Sequence, residues 1–125
     1  MSLADDEEKV RQAHSRYFEA LGSGSMDTLA ENFTFPAAFK GFLDDVVIAT
    51  DEESLLATYQ RLIAAAPKAT RTELDATEVS SLRPNVYMLT MSYRQFGADD
   101  ELIHEGQAVY FMKIVNGECK LFAVF

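Results

Sequence analysis

From Thr70 to Phe125 the chain shows no helical spacing of apolar residues. It shows four β-forming stretches separated by three tight-turn signals, Arg83-Pro84-Asn85, Gly97 to Asp100 and Asn116-Gly117. Asn-Gly suits a two-residue hairpin best, because both residues tolerate positive φ. Parallel neighbours need a long crossover, so connections this short allow only antiparallel pairing. The spacing therefore predicts strands over residues 70–82, 86–96, 102–115 and 118–125. The first carries Thr and Val with little apolar alternation and reads as an edge or half-exposed strand.

The first half of the chain reads differently. Val10, Ala13, Tyr17 and Leu21 recur at three- and four-residue spacing, with Phe18 widening the face, which predicts a helix over residues 5–22. Asp5, Asp6, Glu7 and Glu8 stand at its start, where the helix dipole favours acids, and Gly22-Ser23-Gly24-Ser25 ends it. A short helix follows, with Ser25 as N-cap and Met26, Leu29, Ala30 and Phe33 on one side. Phe33-Thr34-Phe35-Pro36 alternates aromatic and polar. Pro36 argues against a central strand beyond it, and Phe39 and Phe42 continue the aromatic segment. Val46 to Ala49 is a short strand candidate. Thr50-Asp51-Glu52-Glu53 reads as a capping box with Thr50 as the N-cap, opening a helix through Leu55, Leu56, Tyr59, Leu62 and Ile63 that stops at Pro67. Helices segregated from antiparallel strands define an α+β domain spanning residues 1–125, with no internal repeat or linker. Met1-Ser2-Leu3 is given no structural role.

Composition narrows the function classes. At 48% hydrophobic residues the chain lies near the globular average, so disorder is not expected. The longest apolar runs have five residues, too short for a membrane span or a signal-peptide core. A net charge of −9 argues against nucleic acid or an anionic membrane as partner, since binding there is mostly cationic. The lone Cys119 excludes an internal disulfide framework and a thiolate zinc site, and fits a reducing, cytoplasmic setting. In an alternating apolar strand it reads as packing rather than as a reactive thiol. No His pair has metal-ligand spacing, no serine stands in a nucleophile elbow, and Gly22-Ser23-Gly24 lacks a nucleotide fingerprint. Neither a metal nor a cofactor is expected.

The order of elements, together with particular residues, resembles the nuclear transport factor 2-like superfamily, which includes steroid isomerases, SnoaL-type cyclases and scytalone dehydratase. The resemblance runs from about Glu8 to Phe125. It rests on Tyr17-Phe18-Glu19-Ala20-Leu21 closing the first helix, Met26-Asp27-Thr28-Leu29, Phe33, the aromatic-Pro step Phe35-Pro36 and the capped helix after Thr50. The ending Gly106 to Phe111, Asn116-Gly117 and Lys120-Leu121-Phe122 matches the last hairpin. The resemblance implies a curved antiparallel sheet wrapped around the long N-terminal helix, a cone with a pocket at one end. It also implies that homodimers are common. Chemistry does not follow from the fold. Steroid isomerases place a carboxylate base before a proline in the segment after the second helix, where this chain has Phe35, whose phenyl ring takes no proton. Where the family acid stands, the register gives Val109 or Tyr110. Tyr17 resembles the family's pocket tyrosine on the first helix.

The candidate catalytic residues are therefore His14, Tyr17 and His104. A histidine is available for proton transfer near neutral pH, although His14, on the flank of the helical face, also suits a core or solvent-facing role. Alternation puts His104, Gly106, Ala108, Tyr110 and Met112 on one face of their strand and Ile103, Glu105, Gln107, Val109 and Phe111 on the other. Both faces carry apolar residues, so the sequence leaves open which one faces the cone. Nine Phe and five Tyr, with Met88, Met91 and Met112 in the sheet, suit an apolar cavity as well as a filled core. The candidate pocket residues are Phe18, Phe33, Phe35, Phe39, Tyr59, Met91 and Tyr110.

Two functions from different classes follow. One is a domain that binds a small hydrophobic molecule and, as an enzyme, isomerises, dehydrates or cyclises it by acid/base chemistry, with Tyr17 donating a hydrogen bond and His14 or His104 carrying the proton. The other is a non-catalytic dimeric binding module, whose cone would be packed shut by Phe33, Phe35, Phe39 and Tyr59. The charge does not choose between them. Twelve of the twenty acids fall in four clusters, and three of these sit at helix starts or in a hairpin turn.

Overall fold

The computed structural model describes residues 3–24 and 26–125, without the side chains of residues 3 and 4. The Ser25 cap and residues 1–2 lie outside the described residues. Helices α1 (Leu3–Ser23) and α2 (Met26–Glu31) lead into strands β1 (Phe33–Phe39) and β2 (Val47–Ala49). Helix α3 (Glu52–Ala65) is followed by β3 (Arg71–Arg83), β4 (Val86–Phe96), β5 (Leu102–Val115) and β6 (Glu118–Val124). The six strands form one sheet in the order β2-β1-β6-β5-β4-β3. Every pairing is antiparallel except β1 with β6.

The meander closes as its turns dictate. Asn116 and Gly117 both adopt positive φ, 54° and 80°, as a two-residue hairpin turn requires. Asn85 and Asp100 take the same left-handed conformation in the other two turns. β3 is an edge strand with mostly exposed side chains, in keeping with its polar sequence.

Two local expectations are corrected. β1 runs straight through Pro36 and lies between β2 and β6, inside the sheet. Proline is tolerated there because the register with β6 shifts between Phe33 and Ala38, so no ladder bond is asked of the missing N–H. The Phe35-Pro36 bond is cis. The α3 capping box sits one residue later than Thr50 predicts. Asp51 is the N-cap. Its Oδ1 accepts the Ser54 N–H at 2.8 Å, and its own N–H donates to Ser54 Oγ at 3.1 Å. The carboxylate outcompetes the Thr50 hydroxyl because it brings a negative charge to the positive end of the helix. Hydrogen bonding from Ser54, its backbone N–H first, holds the Asp51 carboxyl below its usual pKa.

The core lies between the inner face of the sheet and the apolar stripes of the helices. Val10, Leu29, Leu55, Leu89, Met112 and Leu121 are fully buried there. The sheet curls around α1, which touches β3, β4 and β6. Cys119 is buried with its Sγ 3.8 Å from Met112 Sδ, and burial raises its thiol to about 11, so it stays a packed, protonated thiol. Among the described residues no helix is long and apolar enough to cross a membrane.

Candidate functional site: an apolar cavity with two polar ends

A cavity of about 640 Å³ opens between α1, α3 and the inner face of β3, β4 and β5. Register explains its walls. Residues paired across β3, β4 and β5 stack in rows on the inner face, and alternation sends every second residue of each strand inward. One row is Thr72, Gln95 and His104, and the next is Leu74, Tyr93 and Gly106. Met91 and Ala108 follow, then Leu89 and Tyr110. The face carrying His104, Gly106, Ala108 and Tyr110 is the one that looks into the cone. The burial of Tyr110, Met112 and Ile114 shows the reason, since α1 lies over that face with His14, Tyr17 and Phe18 against Tyr110.

The inner end of the cavity is built from tyrosines. Tyr17 of α1 and Tyr59 of α3 bring their hydroxyls to 2.8 Å, and the Tyr17 ring meets Tyr110 edge to face at 5.6 Å between centroids. Burial pushes the Tyr17 phenol up to about 12, and it holds Tyr59 and Tyr110 well above the ordinary tyrosine value. All three are neutral near pH 7, so they serve as hydrogen-bond donors and not as bases. A hydroxyl pair uses one O–H internally and leaves the other to donate to a third group.

The outer end is built around His104. Its Nε2 lies 3.0 Å from the Tyr93 hydroxyl, and the Phe42 ring stands edge-on to the imidazole at 5.2 Å. Gly106 leaves this pair room. A Cβ there would stand 3.3 Å from His104 Nε2, so the imidazole would have to give by a few tenths of an ångström, and 3.5 Å from the Tyr93 hydroxyl, an ordinary contact. Gly106→Ala is expected to nudge the imidazole and lengthen its bond to Tyr93, with stability changed by about 1 kcal/mol or less. The imidazole ¹⁵N shifts of His104 should then move toward those of Tyr93→Phe; shifts identical to wild type would refute the packing argument.

Among the described residues no Lys, Arg, Asp or Glu lines the cavity. The charges of this region lie on the outer face, where Arg94 pairs with Asp75 and Glu73 at 3.0 Å and Arg71 caps the Phe96 ring at 4.1 Å. Exposed pairs of this kind are screened by solvent and contribute little to stability. Among the described residues no cluster of three His, Cys, Asp or Glu side chains could hold a metal ion.

The structure thus separates the candidates. Tyr17 and His104 line the cavity, as do Phe18, Tyr59, Met91 and Tyr110. His14 does not. It is 6% exposed behind Tyr110 and Phe18, whose rings meet it at 4.6 and 4.8 Å, and its Nε2 is buried without a partner. Burial, reinforced by Arg11, lowers its pKa to about 4. It is a neutral core residue at pH 7. Phe33 and Phe39 also lie outside the cavity lining. They pack against Tyr59 from within the core, at 6.1 and 5.4 Å. Phe35 is 37% exposed, because the irregular register at Pro36 breaks the alternation of β1. These phenylalanines do not pack the cone shut. Tyr93, Gln95 and Phe42 are lining residues that sequence reasoning missed. Tyr93 and Gln95 follow from Met91 by strand parity. Phe42 sits in a loop and carries no such signal.

A helix-wrapping sheet with a cavity at its open end is a cone fold. Solved structures described as nuclear transport factor 2-like share this fold. A nuclear transport factor 2-like protein of unknown function from Pseudomonas putida superposes with a TM-score of 0.72 at 15% identity, over 99% of this chain and 86% of that one. A candidate dehydratase of the same family from Streptomyces avermitilis matches at 0.68 and 17% identity, over 97% and 94%. A protein from Catenulispora acidiphila in complex with S-DNPA matches at 0.70 and 13% identity, over 98% and 92%. No family model matches the sequence, and no curated protein matches it.

Proposed function

We propose that this protein binds a small apolar molecule carrying a carbonyl group and rearranges it by cofactor-free acid/base chemistry, an isomerisation, dehydration or cyclisation. The carrying observation is the open apolar cavity with neutral tyrosine donors at one end and a histidine at the other. The Tyr17–Tyr59 pair supports a carbonyl oxygen as it gains negative charge, which is where donors fixed in an apolar setting act most strongly. His104 is the proton carrier, and Tyr93 orients its ring. The candidate dehydratase from Streptomyces and the Catenulispora protein in complex with S-DNPA lend support to this reading. The homodimer and the cytoplasmic setting stay part of this reading. A ring cluster in which Phe111 lies 6.2 Å from both Phe122 and Phe125 supports the first, and the single buried thiol is compatible with the second.

A thermal-shift screen with lipophilic ketones and enones tests the reading, because any ligand that binds only the native state raises the melting temperature by mass action. Tyr17→Phe is expected to weaken the best hit about tenfold by calorimetry, the value of one hydrogen bond. His104→Gln is expected to leave binding within about threefold while abolishing turnover. A screen without a single stabilising carbonyl compound would refute the proposal.

A further inference from the structure

We propose that Tyr110 supplies the free hydroxyl on which a ligand oxygen docks, with Tyr17 as the second donor to the same oxygen. The inference rests on the cavity binding an apolar carbonyl compound and names the residue that meets the carbonyl first. Its first observation is an unpaired hydroxyl. Tyr110 is 4% exposed and lines the cavity, and among the described residues its O–H has no hydrogen-bond partner. The polar side-chain atoms sealed from the surface without a partner belong to Asp6, His14, Thr34 and Gln95, so the Tyr110 oxygen is not one of them. It is therefore open, and the side on which it is open is the cavity. A hydroxyl left unpaired in an apolar setting is unfavourable, and a ligand acceptor placed against it removes that penalty.

The second observation is that the other tyrosine hydroxyls of the cavity are engaged. Tyr17 and Tyr59 bond each other at 2.8 Å, and Tyr93 meets His104 Nε2 at 3.0 Å. Tyr110 has a neighbour in each pair. Its ring meets Tyr17 at 5.6 Å, and although burial is the first reason its phenol is held high, Tyr17 and Tyr93 both add to it. When Tyr59 donates to Tyr17, the Tyr17 O–H is left to donate onward, beside that of Tyr110. A carbonyl oxygen has two lone pairs and accepts both. Tyr59 then acts through Tyr17, as a positioning residue.

The third observation is that the Tyr110 ring is fixed. His14 meets it edge-on from α1 at 4.6 Å and Phe18 at 6.2 Å. A ring held this way points its hydroxyl in one direction, and a donor already in place binds an acceptor without the cost of ordering it. Toward His104 the inner face of β5 carries only Gly106 and Ala108, whose small side chains leave the space in front of Tyr110 to a ligand.

The test uses the full chain near pH 7 with 4-acetylbiphenyl and with 4-ethylbiphenyl, which has nearly the same shape without the oxygen. By calorimetry wild type is expected to prefer the ketone, and Tyr110→Phe to weaken the ketone about tenfold while leaving the hydrocarbon unchanged. The infrared carbonyl stretch of the bound ketone should lie below its value in cyclohexane. It should rise in Tyr110→Phe and in Tyr17→Phe, and further in the double variant, because each lost donor strengthens the C=O bond. Wild-type affinity and an unshifted stretch in Tyr110→Phe overturn the assignment and leave the cavity reading standing. An equal loss for ketone and hydrocarbon does the same, since the hydroxyl would then be part of the wall. A stretch in wild type equal to the cyclohexane value, or equal binding of the two compounds, overturns the assignment together with the preference for a carbonyl. Binding of neither compound overturns the cavity reading and the role of Tyr110 with it.

Discussion

Acidification from about pH 7 to about pH 4.5 is expected to destabilise this protein by about 2 to 3 kcal/mol through one residue, His14. In the unfolded chain its pKa is the ordinary 6.5, and in the folded protein it is about 4. Above about pH 6.5 the imidazole is neutral in both states and contributes nothing to the pH dependence. Between the two values the unfolded chain takes up a proton that the folded one refuses, so stability falls as pH falls. Below about 4 both states are protonated and the loss levels off. Desolvation is the larger cause. Arg11 on the same helix adds repulsion, and the aromatic groups facing His14, Phe18 and Tyr110, offer no counter-charge. Urea unfolding of wild type and His14→Leu at the two pH values isolates the effect, because every other ionisable group is common to both. A wild-type loss equal to that of His14→Leu would show that His14 is not buried as a neutral group.

The second large effect separates core from cavity. Phe39 is 0% exposed and packs its ring 5.4 Å from both Phe33 and Tyr59. Phe39→Ala removes most of a fully buried ring and leaves a hole that rigid neighbours cannot fill, so a loss of about 3 to 5 kcal/mol is expected. Phe42 is 39% exposed and lines the mouth beside His104. Phe42→Ala is expected to change stability by about 0.5 kcal/mol or less, yet to weaken ligand binding. Denaturant unfolding of the two variants side by side decides the matter. Similar losses in both would mean that the aromatic segment is a single packed unit and that the cavity has no separate mouth.

These two residues mark how far the site was legible. Phe39 and Phe42 belong to one run of aromatics, and nothing in their spacing assigns one to the core and the other to the mouth. That division depends on the chain leaving β1 after Phe39 and on α3 lying across it. His14 and His104 raise the same difficulty. Each sits in an amphipathic pattern, yet one is sealed behind Tyr110 and the other meets Tyr93 at the open end. The Thr50 box failed by one residue because two overlapping motifs, Thr50 to Glu53 and Asp51 to Ser54, compete for the same helix start. The better acceptor won.

What the sequence determined alone is what short-range chemistry controls. Helical spacing in the first 66 residues, Gly and Pro punctuation, and three turns too short for crossovers dictate helices first and an antiparallel meander after them. Strand parity likewise assigned each residue of β5 to one of two faces. Only the tertiary structure decided which face was inside, because both carry apolar side chains and the choice turns on where α1 lies against the sheet. The cavity arises the same way. Its polar ends join residues from α1, α3, β3, β4 and β5 whose proximity is set by strand register and helix packing, and no local interaction in the chain encodes either.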